Sequence, residues 1–438
     1  MVQKKEDLAG NSRFSCFFHY PIFVKILLFS VIFEHYRKIF TASVAFLPAF
    51  WYIYAKFSGE LRMLTSFSVK NFKNFEKKFT IDLSKTKQYA YSEACVKDGI
   101  VKTGLIYGPN SIGKSNLGKA IFDIVQNLTD KQRNPLLYMS YTNAKHFENN
   151  AEFAYEFAFG SSRVRYEYSK PTYEDILVEK FFVDGVEVVS RNWNDFKTNL
   201  QGAETLNNNK LDIKISAMRF IRANAVLVDN PTNKVVKEFF DFVDRMLMFS
   251  HLRQNYYQGF SVGSTQVDVE IIRKGKLGEL EAFLNSVDVD CKLKNLKING
   301  QQRLFFDFGG NHIIDFWENA STGTQSLVFF FYWYMQMQAD PSLAPSFVYL
   351  DEFDAFYHEK TAAKVVEMLQ KVQSQVILTT HDSNLLSNDL IRPDCAFKML
   401  PEYKNSDSYE MGPLSSRTEK ELRQALNIPK MFRAGAFD

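Results

Sequence analysis

The chain has 438 residues, with 53 Lys and Arg against 50 Asp and Glu and a net charge of +3. That near balance argues against a global nucleic-acid or membrane-surface footprint, and the length allows two or three domains around a large core. Four cysteines (Cys16, Cys95, Cys291, Cys395) stand far apart with no Cys-x-x-Cys pair, which argues against a disulfide scaffold or zinc site and fits a reducing, cytoplasmic setting.

Residues 1–62 form an apolar extension unlike the rest. Phe14–Val24 and Ile26–Phe33 are split only by Lys25, and Ile39–Ala55 is uncharged with Pro48 inside it. A spanning helix needs about 20 apolar residues, with about 17 as the lower limit, which Ile39–Ala55 just reaches. Three readings stay open: an extension ahead of the true start at Met63, a membrane anchor, or a cleaved signal lacking an obvious small-residue cleavage site. Membrane association is expected only under the second. Met63 begins Met-Leu-Thr-Ser-Phe-Ser-Val-Lys-Asn-Phe-Lys-Asn-Phe, a regular opening for a nucleotide-binding part over residues 63–135.

Thr103, Gly104, Leu105, Ile106 and Tyr107 read as a short buried strand. Gly108, Pro109, Asn110, Ser111, Ile112, Gly113, Lys114 and Ser115 then match the phosphate-binding pattern G-x-x-x-x-G-K-[ST] in full, and a helix-like stretch runs from Asn116 to about Asn127. Strand, glycine loop and helix together give the motif its context. Backbone N–H groups and the helix N-terminus of such a loop point at phosphate oxygens. Lys114 is expected between the β- and γ-phosphates of ATP, and the Ser115 hydroxyl on Mg²⁺.

Residues 136–315 read as an inserted α+β domain. Ala151–Phe159, Val164–Tyr168, Ile176–Val183 and Val186–Val189 suggest a strand meander with Asp184-Gly185 as a hairpin turn. Val235–Phe249 places Val235, Val236, Phe239, Phe240, Val243, Met246 and Leu247 on one helical face. A second meander is expected to include Val267–Ile272 and Leu304–Phe308. No sustained heptads mark a coiled coil. Arg273, Lys274, Lys276, Lys292, Lys294 and Lys297 read first as a solvated face; DNA contact is the alternative, and it needs a concentrated basic stripe.

Residues 316–438 carry three further elements. Glu318-Asn319-Ala320-Ser321-Thr322-Gly323-Thr324-Gln325-Ser326 precedes an apolar helix-like run from Leu327 to Met335. It is either a second anion site, through Ser321 and Gly323, or an ordinary N-cap on a core helix. A second anion site is useful if it closes over nucleotide held by another subunit, so a homodimer is expected. Ser346–Leu350 reads as a buried strand ending in Asp351 and Glu352, at the edge where open α/β sheets place ligands. Asp351 is the candidate Mg²⁺ ligand and Glu352 the general base. Gln375–Asp382 repeats the pattern, with His381 a candidate γ-phosphate donor and Thr379 or Thr380 candidates for holding water.

These four elements resemble the ATP-binding-cassette class of ATPases, in its soluble branch with the SMC, RecF and OLD-type proteins. They most resemble bacterial AAA-family ATP-binding proteins of the abortive-infection kind. The likeness rests on Asn71-Phe72, on Tyr107-Gly108-Pro109-Asn110 with Gly113-Lys114-Ser115, on Ser321-Thr322-Gly323-Thr324-Gln325, and on Asp351-Glu352 followed by Phe353-Asp354-Ala355-Phe356-Tyr357-His358. Ser383-Asn384-Leu385-Leu386 and the ending from Met431 to Phe437 add to it. The resemblance implies an α/β P-loop NTPase of ABC type, with a mixed central sheet flanked by helices and a large α+β insertion. It also implies ATP hydrolysis with Mg²⁺, with Gly108 to Asn116 around the nucleotide, Asp354 as a dimer contact and dimerisation around ATP. A role in phage defence follows, with a nuclease or toxin effector in trans, because the stretch after His381 is too short for the nuclease domain of OLD-type proteins. A RecF-like or SMC-like DNA-repair ATPase and a nonhydrolysing nucleotide-gated scaffold are the alternatives. Two departures stand out. Ser326 occupies a position often basic in the group, and the class's Mg²⁺-linked glutamine, expected within 130–150, has no clear counterpart.

Overall fold

In the computed structural model, residues 61–438 are described apart from 132–137, 251–255, 261–265, 311 and 403–407. The apolar stretches between 14 and 55 lie outside the described residues. Among the described residues, no helix is long and apolar enough to cross a membrane.

Alternating side chains build the first sheet. In Ala151–Phe159, Ala151, Phe153, Tyr155 and Phe157 turn inward while Glu152 and Glu156 face out, the period-2 pattern of a half-buried antiparallel strand. Seven antiparallel strands lie in the order 195–198, 186–192, 178–183, 162–170, 151–159, 62–70 and 79–82. Asp184 and Gly185 both take positive φ, 50° and 82°, as a two-residue hairpin turn requires. The meander therefore continues the sheet begun by the opening strand Arg62–Lys70, which pairs with Ala151–Phe159 across a bulge between Leu64 and Ser66.

The second sheet is built from fully buried runs. Its order is 256–259, 247–250, 347–351, 375–380, 103–107, 396–401 and 409–413. The five inner strands run parallel and the two edges antiparallel. Phe347–Asp351 and Gln375–Thr380 are buried at every residue, as a parallel sheet covered on both faces demands. Ser250 pairs with Asp351 and Thr380 with Tyr107, so the strands bearing the expected site end together at one edge. This is the mixed-sheet P-loop ATPase architecture that the motifs imply.

Two segments differ from expectation. The helix over 231–244 ends at Asp244, and Leu247–Ser250 crosses into the second sheet as a strand. A short run such as Leu247-Met248-Phe249 fits a buried strand as well as a helix, and its place beside Phe347–Asp351 decides the matter. Val267–Arg273 is a helix rather than part of a meander. Its Glu270 pairs with Arg273 at 2.7 Å and Lys274 at 3.7 Å, while Ile271 is fully buried. These i,i+3 and i,i+4 pairs and the buried face outweigh the strand-like alternation. Leu304 lies in a strand, within the small sheet 293–298, 301–307 and 313–315.

The phosphate-loop helix is sandwiched between the two large sheets. It runs Lys114–Ile121, breaks at Phe122 and resumes as Asp123–Leu128. On one side the Tyr349 hydroxyl donates to Lys114 O at 2.7 Å; on the other the Tyr155 hydroxyl donates to Ala120 O at 2.9 Å. Between the layers, Asp123 and Lys170 form an ion pair at 3.2 Å with no exposed surface on either side chain. Tyr168 donates to the same carboxylate at 3.0 Å. Lys170 also donates to Asn127 Oδ1 at 2.9 Å and to Tyr173 O at 2.7 Å. Breaking a buried pair from one side leaves an uncompensated charge and costs about 3–5 kcal/mol. Lys170→Met should therefore lower unfolding stability in urea by that order, and adding Asp123→Asn should recover much of it.

Candidate nucleotide site

The loop after Tyr107 folds as its glycines require. Gly113 has φ +110°, and a Cβ there would lie 2.3 Å from Asn74 Nδ2, so any side chain at 113 would displace Asn74. Asn74 in turn donates to Ile112 O at 3.4 Å and accepts from Asn116 Nδ2 at 2.7 Å. Pro109, Asn110 and Ser111 are exposed, while Gly108 and Ile112 are buried. Lys114 is 3% exposed and its Nζ donates to Gly108 O at 2.6 Å and Pro109 O at 3.1 Å. Burial pushes its pKa down, partly offset by Glu352, Asp351 and Asp354. An ammonium held over its own loop carbonyls, short of solvent, is poised for phosphate.

The carboxylates lie beside it. Asp351 is 6% exposed, and burial raises its pKa against hydrogen bonds from Ser115 and Thr379. Ser115 and Asp351 thus place a hydroxyl and a carboxylate together, the hard oxygen donors that Mg²⁺ takes alongside phosphate. Among the described residues, no cluster of three or more His, Cys, Asp or Glu makes a cage of its own. A metal here would be held by Ser115, Asp351 and phosphate, and when bound it would neutralise charge developing on the phosphate. Glu352 follows with φ +48°, and its N–H donates to Thr379 Oγ1 at 2.8 Å.

The strand Gln375–Thr380 completes this edge. Thr380 donates to Asp354, whose other carboxylate oxygen is buried without a partner among the described residues. Burial raises the Asp354 pKa, and His381 nearby favours its charged form. Thr380 Oγ1 also accepts from the Asp382 N–H at 2.8 Å. His381 itself is exposed. Each threonine hydroxyl thus donates to a carboxylate and accepts from a backbone N–H, which leaves one lone pair on each.

Ser321 caps the helix Thr322–Met337, its Oγ accepting from the Thr324 N–H at 3.1 Å. Ser321 and Thr322 are nevertheless exposed. Gly323 lies against the segment after Glu352, where a Cβ would meet Phe356 O at 2.9 Å. The structure thus brings Lys114, Ser115, Asp351, Glu352 and Thr379 together. The described contacts of Ser321 and Gly323 are with residues 324, 325 and 356, not with the phosphate loop.

Sequence reasoning missed Asn74 and the strand Leu247–Ser250. Asn74 had a faint signal, the second Asn of the Asn-Phe-Lys-Asn-Phe opening, but its partners are about forty positions away. Across the sheet Asp351 pairs with Ser250 on one side and accepts from the Thr379 hydroxyl on the other. The terminal motif docks behind the loop. Phe432 packs edge-on against Tyr107 at 4.6 Å, and Arg433 donates to Asn384 Oδ1 at 2.7 Å.

Among curated proteins, no sequence matches the chain. Among solved structures, the SMC head domain from Thermotoga maritima aligns with 80% of this chain and 98% of its own, at 15% identity and a TM-score of 0.40. The Smc head domain with a coiled coil and joint derived from Pyrococcus yayanosii aligns with 86% and 100%, at 11% identity and a TM-score of 0.42. Residues 105–387, more than half of the chain and spanning the phosphate loop, the Asp351-Glu352 strand and the His381 strand, match the family described as "AAA domain, putative AbiEii toxin, Type IV TA system", and the chain belongs to that family.

Proposed function

We propose that this protein is an ATP-hydrolysing switch that dimerises around ATP. In this reading Lys114 and the loop from Gly108 to Asn116 hold the phosphates, and Ser115 and Asp351 hold Mg²⁺. Glu352 takes the proton of the attacking water, and His381 donates to the γ-phosphate. Ser321 and Gly323 of the second copy close the other side of the same nucleotide. The observation that carries the reading is the pairing of a Lys114–Ser115–Asp351–Glu352 cluster, in which Lys114 and Asp351 are buried and Ser115 and Glu352 half-buried, with an exposed helix tip at Ser321. That tip is seated on the same Phe353–His358 segment that follows the base. Phe356, 39% exposed beside Gly323, supplies apolar surface for a two-fold contact. A family description that names a toxin and a toxin–antitoxin system supports a role in bacterial phage defence, with a nuclease or toxin effector in trans.

A concentration series tests the composite site. Specific ATPase activity should rise with protein concentration, and Ser321→Arg should bind ATP as the native chain does while turning it over about 100-fold more slowly, as for loss of a transition-state donor. Activity independent of concentration, with native turnover in Ser321→Arg, would overturn the reading.

A further inference from the structure

Thr379, the penultimate residue of the strand Gln375–Thr380, has no exposed surface. Its hydroxyl donates to Asp351 Oδ1 at 3.1 Å and accepts from the Glu352 N–H at 2.8 Å. Its carbonyl accepts from the Phe353 N–H at 3.3 Å. A hydroxyl has one proton and two lone pairs, so one atom grips two consecutive residues by opposite kinds of bond. Those residues are the candidate metal ligand and the candidate base.

The grip falls where the backbone most needs it. Glu352 has φ +48°, a left-handed conformation that a residue with a Cβ keeps only where the surroundings over-determine it. Thr379 supplies that constraint from the neighbouring strand. Without the hydroxyl the Glu352 N–H loses its acceptor and Asp351 one of its donors, although the strand itself is untouched.

We propose that Thr379 is a positioning residue for ATP hydrolysis, setting the metal-binding carboxylate and the base in register through a single hydroxyl. The inference rests on the functional reading above. A one-ångström misplacement of reacting groups costs about 100-fold in rate, and that sets the expected effect.

Thr379→Val keeps the side-chain shape and removes both bonds. ATP affinity should stay near native, since Lys114 and the loop are unaltered. The turnover number should fall about 100-fold, and the Mg²⁺ concentration for half-maximal rate should rise. Thr379→Ser should restore both. In a Glu352→Gln background, Thr379→Val should cost little more, because residues acting as a unit are non-additive. If the native chain shows no ATPase activity, the functional reading fails first. If the native chain is active and Thr379→Val turns over within about threefold of it with unchanged Mg²⁺ dependence, the positioning role is wrong. Should the valine variant not fold, Thr379→Ala against Thr379→Ser gives the same two readouts.

Discussion

Glu352→Gln should abolish most ATP turnover while leaving ATP bound. The glutamine keeps the shape of the side chain and its left-handed backbone, so the Thr379 contact and the packing of Phe353 survive. Only the capacity to accept the proton of water is lost, an effect of about 10²- to 10⁴-fold for a positioned general base. Nucleotide affinity depends on Lys114 and the loop and should change little. A turnover assay beside equilibrium binding of a fluorescent ATP analogue separates the two. Equal losses of rate and affinity would mean that Glu352 contributes by holding nucleotide and not by chemistry.

Lys114→Ala should remove binding itself. The ammonium sits within 2.6 Å and 3.1 Å of two loop carbonyls, weak partners that phosphate oxygens would replace with charge-assisted bonds. A loss of at least about 100-fold in affinity, ~2.7 kcal/mol, is expected. The same residue leaves a mark on stability. Burial lowers its pKa below the ordinary lysine value of 10.5. Between its folded value and 10.5 the unfolded chain therefore binds more protons, and stability rises with pH. Lys114→Met should flatten that part of the curve in nucleotide-free protein. An unchanged slope would show that the ammonium is not the strained group that its burial suggests.

What the sequence revealed followed the range of the interactions. The phosphate loop, the Asp351-Glu352 strand and the Asp184-Gly185 turn are local patterns, and each lies where its pattern placed it. The strand over 247–250 was not legible, because an apolar run of four residues satisfies both periods until a neighbour is known. The same holds for Thr379. Nothing in Thr379-Thr380-His381 shows that the first hydroxyl meets Asp351, a contact made only by pairing across the sheet. The buried Asp123–Lys170 pair joins residues 47 positions apart, a contact that no window along the chain could capture. Of the two readings of Ser321, the structure shows the N-cap: the hydroxyl caps its own helix, on a residue that is exposed.

The central claim is that ATP is held between two copies of this chain, each supplying a different half. The most direct measurement is the mass in solution of Glu352→Gln, by light scattering, with and without saturating Mg²⁺ and ATP. The account predicts a doubling of mass on adding nucleotide, abolished when Lys114→Ala is combined with it. A mass that stays at one chain while bound ATP is stoichiometric would contradict it.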